Sequence, residues 1–171
     1  AAAARAVTDT CHSMTGMGTH TACHSTTGLR SAATRTMTET ATRASAADFD
    51  FLAGRWRVQH RRLQQRLANC THWDHFDGTS VFHPLMGGQA HVDDNWLDLP
   101  GGAYRAVTLR AFDPAAGRWS IWWLDSRRPH ALDTPMRGGF EHGVGTFEAD
   151  DHWDGRPIRV RFVWSGITAS R

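Results

Sequence analysis

The 171-residue sequence has no lysine, only three cysteines and no long apolar run. A membrane-spanning helix needs about 20 mostly apolar residues, so we expect no membrane partner. The N-terminus lacks the basic and then apolar layout of a secretory signal peptide. An odd number of cysteines makes no disulfide framework and favours a reducing compartment. Together these absences predict a cytoplasmic protein.

Aromatic residues are absent from the first 47 positions, which hold 12 Ala and 12 Thr. All eight Trp, all eight Phe and Tyr104 lie in residues 48–171. A segment with so little apolar surface cannot offset a backbone ordering cost of about 1–2 kcal/mol per residue. We therefore predict a disordered Ala/Thr-rich tail over 1–47 and one folded domain over 48–171.

Charge is balanced within the predicted domain, which carries 15 Arg and 15 acidic residues. Nucleic-acid binding requires an excess of positive charge, so we expect no nucleic-acid partner. The sequence also lacks the zinc-protease, α/β-hydrolase, dinucleotide-binding and P-loop motifs. Those four kinds of chemistry therefore have no support.

The tail contains a short repeat, CHSMTG at 11–16 and CHSTTG at 23–28. Its Cys, His and Met side chains are soft ligands that suit zinc or copper. The spacing contains neither a CxxC nor an HxxxH pair. Duplication of low-complexity sequence is therefore the favoured interpretation, and we expect no metal.

From residue 54 onward, β-branched and aromatic residues alternate with polar ones between short Gly, Pro and Asp clusters. This pattern predicts antiparallel strands joined by tight turns. The predicted strands cover 54–67, 71–82, 90–99, 104–112, 119–125, 140–142, 144–149 and 156–164. The stretch RRLQQRL at 61–67 fits this alternation poorly, and a short helix is the alternative there. Eight short strands with short connections favour an up-and-down barrel over a sandwich.

Several motifs carry a resemblance to known barrels. DFLAGRW at 50–56 places a Gly-x-Trp at the start of the first strand, which is similar to the signature of lipocalin-like (calycin) barrels. Residues 48–171 resemble an uncharacterised bacterial family of small lipocalin-like proteins. The further matching motifs include FDGT at 76–79, DLPGG at 98–102, FDP at 112–114, WLDSR at 123–127 and RVRF at 159–162.

This resemblance implies a barrel in which Trp56 plugs one end. It also implies a further hairpin beyond the last predicted strand, so we expect an incomplete barrel here. The unpaired edge strands then predict either a homodimer or poor solubility.

Polar residues on the otherwise apolar strand faces are the candidates for a site inside the barrel. An unpaired buried charge is prohibitively costly, so such groups must find a partner or a ligand. The candidate ligand-binding residues are His60, Arg62, Trp73, His75, Tyr104, Arg110, Trp123 and Asp125. We predict non-catalytic binding of a small, partly apolar ligand, with an anionic group as one option. Hydrated side chains at the mouth, or an internal ion pair such as Arg110 with Asp125, are the alternatives.

Two other functions stay open. An isomerase or cyclase for a hydrophobic substrate would use His60 or His75 as general acid/base, oriented by Asp125. A truncated family copy would have no independent function. Some lipocalin-like barrels bind haem through a His near the C-terminus, but the last histidine here, His152, lies in a predicted turn. We therefore expect no cofactor.

Overall fold

The computed structural model describes residues 11–15 and 44–167. Within these ranges one antiparallel sheet forms, and each strand pairs with the next along the chain. The strands are β1 Cys11–Thr15, β2 Gly54–Leu63, β3 Trp73–Leu85, β4 Ala90–Leu97, β5 Tyr104–Asp113, β6 Arg118–Asp125, β7 Met136–Glu141, β8 Val144–Trp153 and β9 Arg156–Trp164. Short 3₁₀ helices, Asp50–Leu52 and Met86–Gly88, precede β2 and β4. The predicted all-β, up-and-down fold is confirmed.

Strands β2 to β9 curl into a half-barrel with a concave and a convex face. In the described part of the chain β1 and β9 do not pair with each other, so the sheet stays open between them. None of the helices in this part has the length and apolar content needed to cross a membrane.

Strand β1 is the one piece of the predicted tail before residue 44 that the structure describes. It pairs antiparallel with β2, with Cys11 opposite Arg61 and Thr15 opposite Arg57. Residues 44–47 of the predicted tail are also described, and they contact the domain, since the Ser45 carbonyl oxygen accepts a hydrogen bond from Trp119 Nε1. The rest of the prediction of a disordered tail, like the second copy of the CHS repeat, concerns residues outside the described ranges.

The predicted strand at 61–67 is wrong in its second half. Strand β2 ends at Leu63, and residues 64–69 form a bend and a turn. Leu67 and Asn69 have φ angles of 57° and 52°, which neither a strand nor a right-handed helix contains. The chain therefore reverses direction here to begin the β2–β3 hairpin.

Strand β7 begins at Met136, earlier than predicted, because two glycines conceal its start, and β8 continues to Trp153, beyond its predicted end. A Cβ atom on Gly138 would overlap the carbonyl oxygen of Thr146 on β8. A glycine in a strand often marks such a close backbone approach. The glycines therefore weaken the strand pattern in the sequence at the start of β7, although the β7 and β8 backbones are close together there.

The hydrophobic core fills one end of the half-barrel around Phe49, which is fully buried. The rings of Trp119, Phe140 and Phe147 lie with centroids 5.0, 5.1 and 5.8 Å from the Phe49 ring. The chain that leads into β2 thus closes this end, which we call the closed end.

Trp56, which the Gly-x-Trp resemblance places at the plug, is partly buried and packs against this core. Its indole Nε1 donates a hydrogen bond to the Leu52 carbonyl oxygen at 2.7 Å. The Trp119 indole similarly donates to the Ser45 carbonyl oxygen at 3.2 Å. Trp56 therefore holds the plug in place, while Phe49 fills its centre.

Candidate ligand-binding cavity

A cavity of about 840 Å³ occupies the concave face of the half-barrel. Ligand-binding cavities usually measure about 300–1,000 Å³. The cavity lies beyond Phe49, toward the end of the half-barrel where β2 ends and β3 begins, because residues from both of these strand ends line it. We call this end the open end. Its apolar walls come from Val58, Leu97, Ile121, Met136, Ala149, Ile158, Val160 and Phe162. Apolar walls of this size suit a small organic molecule.

The connection between β6 and β7 supplies a wall that is not a strand. Arg128, Ala131, Leu132, Asp133 and Thr134 of this connection line the cavity. The Asp133 backbone N–H donates to the Trp123 carbonyl oxygen at 3.1 Å, which ties the connection to β6. Burial raises the pKa of the Asp133 carboxyl, while the charge of Arg128 opposes that change.

Polar side chains of β4 and β5 line the inner wall of the cavity. Alternation along the two strands directs Asp93 and Asn95, and Thr108 and Arg110, into it. Antiparallel register sets Asp93 directly opposite Thr108, so that Arg110 is its diagonal neighbour. Diagonal neighbours on one sheet face are within reach of long side chains.

Arg110 and Asp93 form a buried ion pair at this position. Arg110 Nη2 lies 2.6 Å from Asp93 Oδ2, and both side chains are only 2% exposed. The Arg110 guanidinium carbon also lies 4.9 Å from the Phe49 ring centroid and 5.7 Å from that of Trp164. The charged pair therefore sits against the aromatic plug, at the inner limit of the cavity.

The hydrogen bonding of this pair is incomplete. Among the described residues, Asp93 Oδ1 and Arg110 Nε and Nη1 find no hydrogen-bond partner. The great majority of buried polar atoms in proteins have a hydrogen-bond partner, and each exception needs an explanation. The free energy needed to remove an ion pair from water also often exceeds the electrostatic attraction between the two charges. A contribution to stability is therefore a weak explanation for this buried pair.

Two buried histidines accompany these groups, His91 beside the pair and His60 on β2. His91 stacks on Trp119 with centroids 5.1 Å apart, and burial, followed by the charge of Arg110, lowers its pKa. His60 stacks on Phe76 at 4.7 Å, and burial lowers its pKa to about 4 against the opposing charge of Asp77. Both imidazoles are therefore neutral at neutral pH.

Gly78 makes room for the His60 ring. A Cβ atom at this position would lie 2.7 Å from His60 Nε2 and 2.6 Å from the Trp96 carbonyl oxygen. Such contacts are too short for real atoms, so a larger residue would displace the imidazole or the β4 backbone. The glycine of the FDGT motif thus positions His60.

The structure brings five of the eight predicted site residues to the cavity: His60, Arg62, Trp73, Arg110 and Trp123. Arg62 Nη2 donates to Asp74 Oδ2 at 2.9 Å. Trp73 lies beneath the guanidinium of Arg61 at 4.0 Å. Their role in ligand binding stays a prediction.

The other three predicted residues do not line this cavity. His75 is exposed, since its neighbour Phe76 takes the inward position opposite His60. Tyr104 lies 3.8 Å beneath the Arg127 guanidinium. Asp125 accepts a hydrogen bond from Arg127 Nη2 at 2.5 Å.

The alternative of an internal ion pair for Arg110 is correct in kind, but its partner is Asp93 and not Asp125. Asp125 lies opposite Ala106, four residues along β5 from Arg110, whereas Asp93 is a diagonal neighbour. Because Arg127 binds the Asp125 carboxylate, this group is also not the one that orients His60.

Asp93 is the main residue that the sequence analysis missed. A signal was present, because Asp93 and Asp94 follow each other within a predicted strand. Successive strand residues point to opposite faces, so one of two adjacent aspartates must point inward. Its partner was not evident, because that depends on the register between β4 and β5.

No group of three or more His, Cys, Asp or Glu side chains in the described part of the chain is arranged to bind a metal ion. Comparisons with protein-family models, curated proteins and solved structures find no match to this chain. The geometry of the cavity is therefore the basis for assigning a function.

Proposed function

We propose that the half-barrel binds a small, largely apolar ligand on its concave face and releases it unchanged. The observation that carries this proposal is a cavity of about 840 Å³ with apolar walls and a few converging polar groups at its inner end. Binding sites for small molecules commonly have this composition. The half-barrel is also compatible with a lipocalin-like fold, and we propose that the chain belongs to that class.

The inner face of β9 supports the same proposal. Ile158, Val160 and Phe162 point into the cavity but are only partly buried. Each Å² of apolar surface removed from water is worth about 25 cal/mol. A ligand that covers these side chains would gain affinity from that burial.

Two features favour binding over turnover. A pKa of about 4 makes His60 a weak base at neutral pH, whereas efficient general bases have a pKa near the working pH. The carboxylate of Asp125 is bound by Arg127, so it does not activate a histidine.

The proposal is tested first by native mass spectrometry of the full chain purified from its own host. A bound ligand adds a discrete mass that disappears on denaturation. In parallel, the neutral apolar dye N-phenylnaphthylamine should gain fluorescence on binding the purified protein. Absence of both signals would overturn the proposed function.

Two substitutions on β9 locate the site. Val160→Trp fills the cavity and should abolish dye binding, whereas Val163→Trp enlarges an outward side chain that is already 47% exposed. Both variants should melt as cooperatively as the parent protein. Equal dye binding by a folded Val160→Trp protein would contradict a site on the concave face.

We also propose a second copy of the chain as partner at the edge of β9. In the described residues β9 pairs only with β8, which leaves backbone groups of its other edge available. Exposed strand edges favour pairing with another chain. Sedimentation velocity over a concentration series should show a dimer, and a monomer at all concentrations would exclude this partner.

A further inference from the structure

The polar group at the inner end of the cavity is electrically balanced. From this balance we infer that the ligand of the proposed function carries a neutral head group that both donates and accepts a hydrogen bond, as a primary amide does. The inference rests on the proposed function and specifies the chemical class of its ligand.

The charges at the inner end cancel within one pair. Arg110 contributes one positive and Asp93 one negative charge, and their side chains are equally buried. The polar neighbours Asn95 and Thr108 are uncharged and bond to each other, Asn95 Nδ2 donating to Thr108 Oγ1 at 3.2 Å. An anionic head group here would therefore bring an unbalanced charge into a buried site, at a large cost.

Other charged groups at the cavity do not change this balance. Arg62 is paired with Asp74, and Arg128 lies 4.0 Å from Asp133. Arg66 and Asp151 also line the cavity, and both are exposed. An anionic ligand was an option from the sequence, because Arg110 was expected inside while its partner Asp93 was not identified.

The unmatched atoms indicate which neutral group fits. Asp93 Oδ1 is an acceptor without a donor, and Arg110 Nε and Nη1 are donors without an acceptor among the described residues. A primary amide offers an N–H to the carboxylate and a C=O to the guanidinium. A carboxylate offers acceptors only, and an ammonium offers donors only, so each would leave one side of the pair unmatched.

Three probes of equal chain length test this inference on the wild-type protein. Decanamide, decanoate and decylammonium compete with N-phenylnaphthylamine at neutral pH. Decanamide should bind at least about tenfold more tightly than either ion, because only the ions bring an uncompensated charge into the site.

The possible results separate the two proposals. If decanoate or decylammonium binds as tightly as decanamide, the neutral head group is wrong while binding on the concave face stands. If the dye binds but no probe displaces it, an amide head group is excluded. That result is expected if ordered water, and not a ligand, bonds the unmatched atoms of Asp93 and Arg110. If the dye itself does not bind, the proposed function fails as well.

Two adjacent aspartates provide matched variants. Asp93→Asn removes the buried negative charge and should shift the preference from decanamide toward decanoate by about tenfold or more, since Arg110 then lacks its counter-charge. Asp94→Asn removes a partly exposed carboxylate, paired with Arg105 on the outer face at 2.9 Å, and should leave the preference unchanged. Equal effects of both variants would contradict the inference. The wild-type comparison stands by itself if Asp93→Asn does not fold.

Discussion

The two ends of the half-barrel differ in what fills them. At the closed end Phe49, Trp119 and Phe147 are all fully buried, because the chain before β2 folds back as a plug. At the open end Leu132 and Trp153 remain 56% and 41% exposed. The same sheet therefore provides a packed core at one end and space for a ligand at the other. Stability and binding should consequently respond to different substitutions.

The largest expected effect is the loss of the plug. Phe49→Ala should lower the free energy of unfolding by about 3–5 kcal/mol, because it leaves a cavity at the centre of the aromatic cluster. Leu132→Ala, at the open end, should change it by less than about 0.5 kcal/mol. Urea melts of the two variants measure this difference. Similar losses for both would contradict the contrast between the ends.

A smaller effect is expected where the two regions meet, at Gly78. Gly78→Ala should cost about 1–3 kcal/mol, because the added methyl group overlaps the Trp96 carbonyl and the His60 ring. Thr79→Val, on the exposed face of the same strand, is the matched control and should be nearly neutral. The variant should also weaken dye binding, since His60 lines the cavity. A Gly78→Ala protein as stable as its parent would show that His60 is not held there.

The smallest effect concerns pH. The pKa of His60 falls from 6.5 to about 4 in the folded protein. The unfolded chain then binds more protons than the folded one between these values, so stability is full above about pH 6.5 and declines as the pH falls. The decline due to His60 should reach about 1–2 kcal/mol near pH 5.

His60→Gln should flatten this pH dependence, while His75→Gln should leave it unchanged because His75 is exposed. Urea melts between pH 5 and 7 would show the difference, before most carboxylates titrate. An identical decline in His60→Gln would assign the effect to another group, of which His91 is the first candidate.

The strand order was predictable because its signals are local. The turn between β5 and β6 is an example: Asp113 Oδ1 accepts hydrogen bonds from the backbone N–H groups of Ala115 and Ala116, each at 3.0 Å. Asp, Pro and Gly at these positions specify the turn without reference to the rest of the chain. Alternation within the flanking strands then separates the inner from the outer face.

The candidate site was less predictable, because its contacts depend on register and curvature. Arg110 was expected inside, but its partner Asp93 lies 17 residues away and is determined by the pairing of β4 with β5. Phe49 precedes the first predicted strand of the domain, and the curvature of the sheet is what brings the aromatic side chains of the later strands around it. Asp125 lies opposite Ala106 on the inner face, as expected, but its carboxylate binds Arg127, two residues along the chain, and does not line the cavity.

The adjacent aspartates of β4 also have a consequence for how the sheet aligns during folding. Asp93 pairs with Arg110 on the inner face, and Asp94 pairs with Arg105 on the outer face. A slip of one residue between β4 and β5 would exchange the two faces of β4. In one direction Asp94 would reach Arg110, while Asp93 would not reach Arg105. In the other direction Asp93 would reach Arg105, while Asp94 would lie inside without Arg110. Only the observed register makes both pairs, so the buried pair and the outer pair together select one alignment of the two strands. Removal of the buried pair at Arg110 leaves only the outer pair, which a slipped register also makes through Asp93, so the protein should show mixed strand pairings, visible as multiple sets of amide resonances.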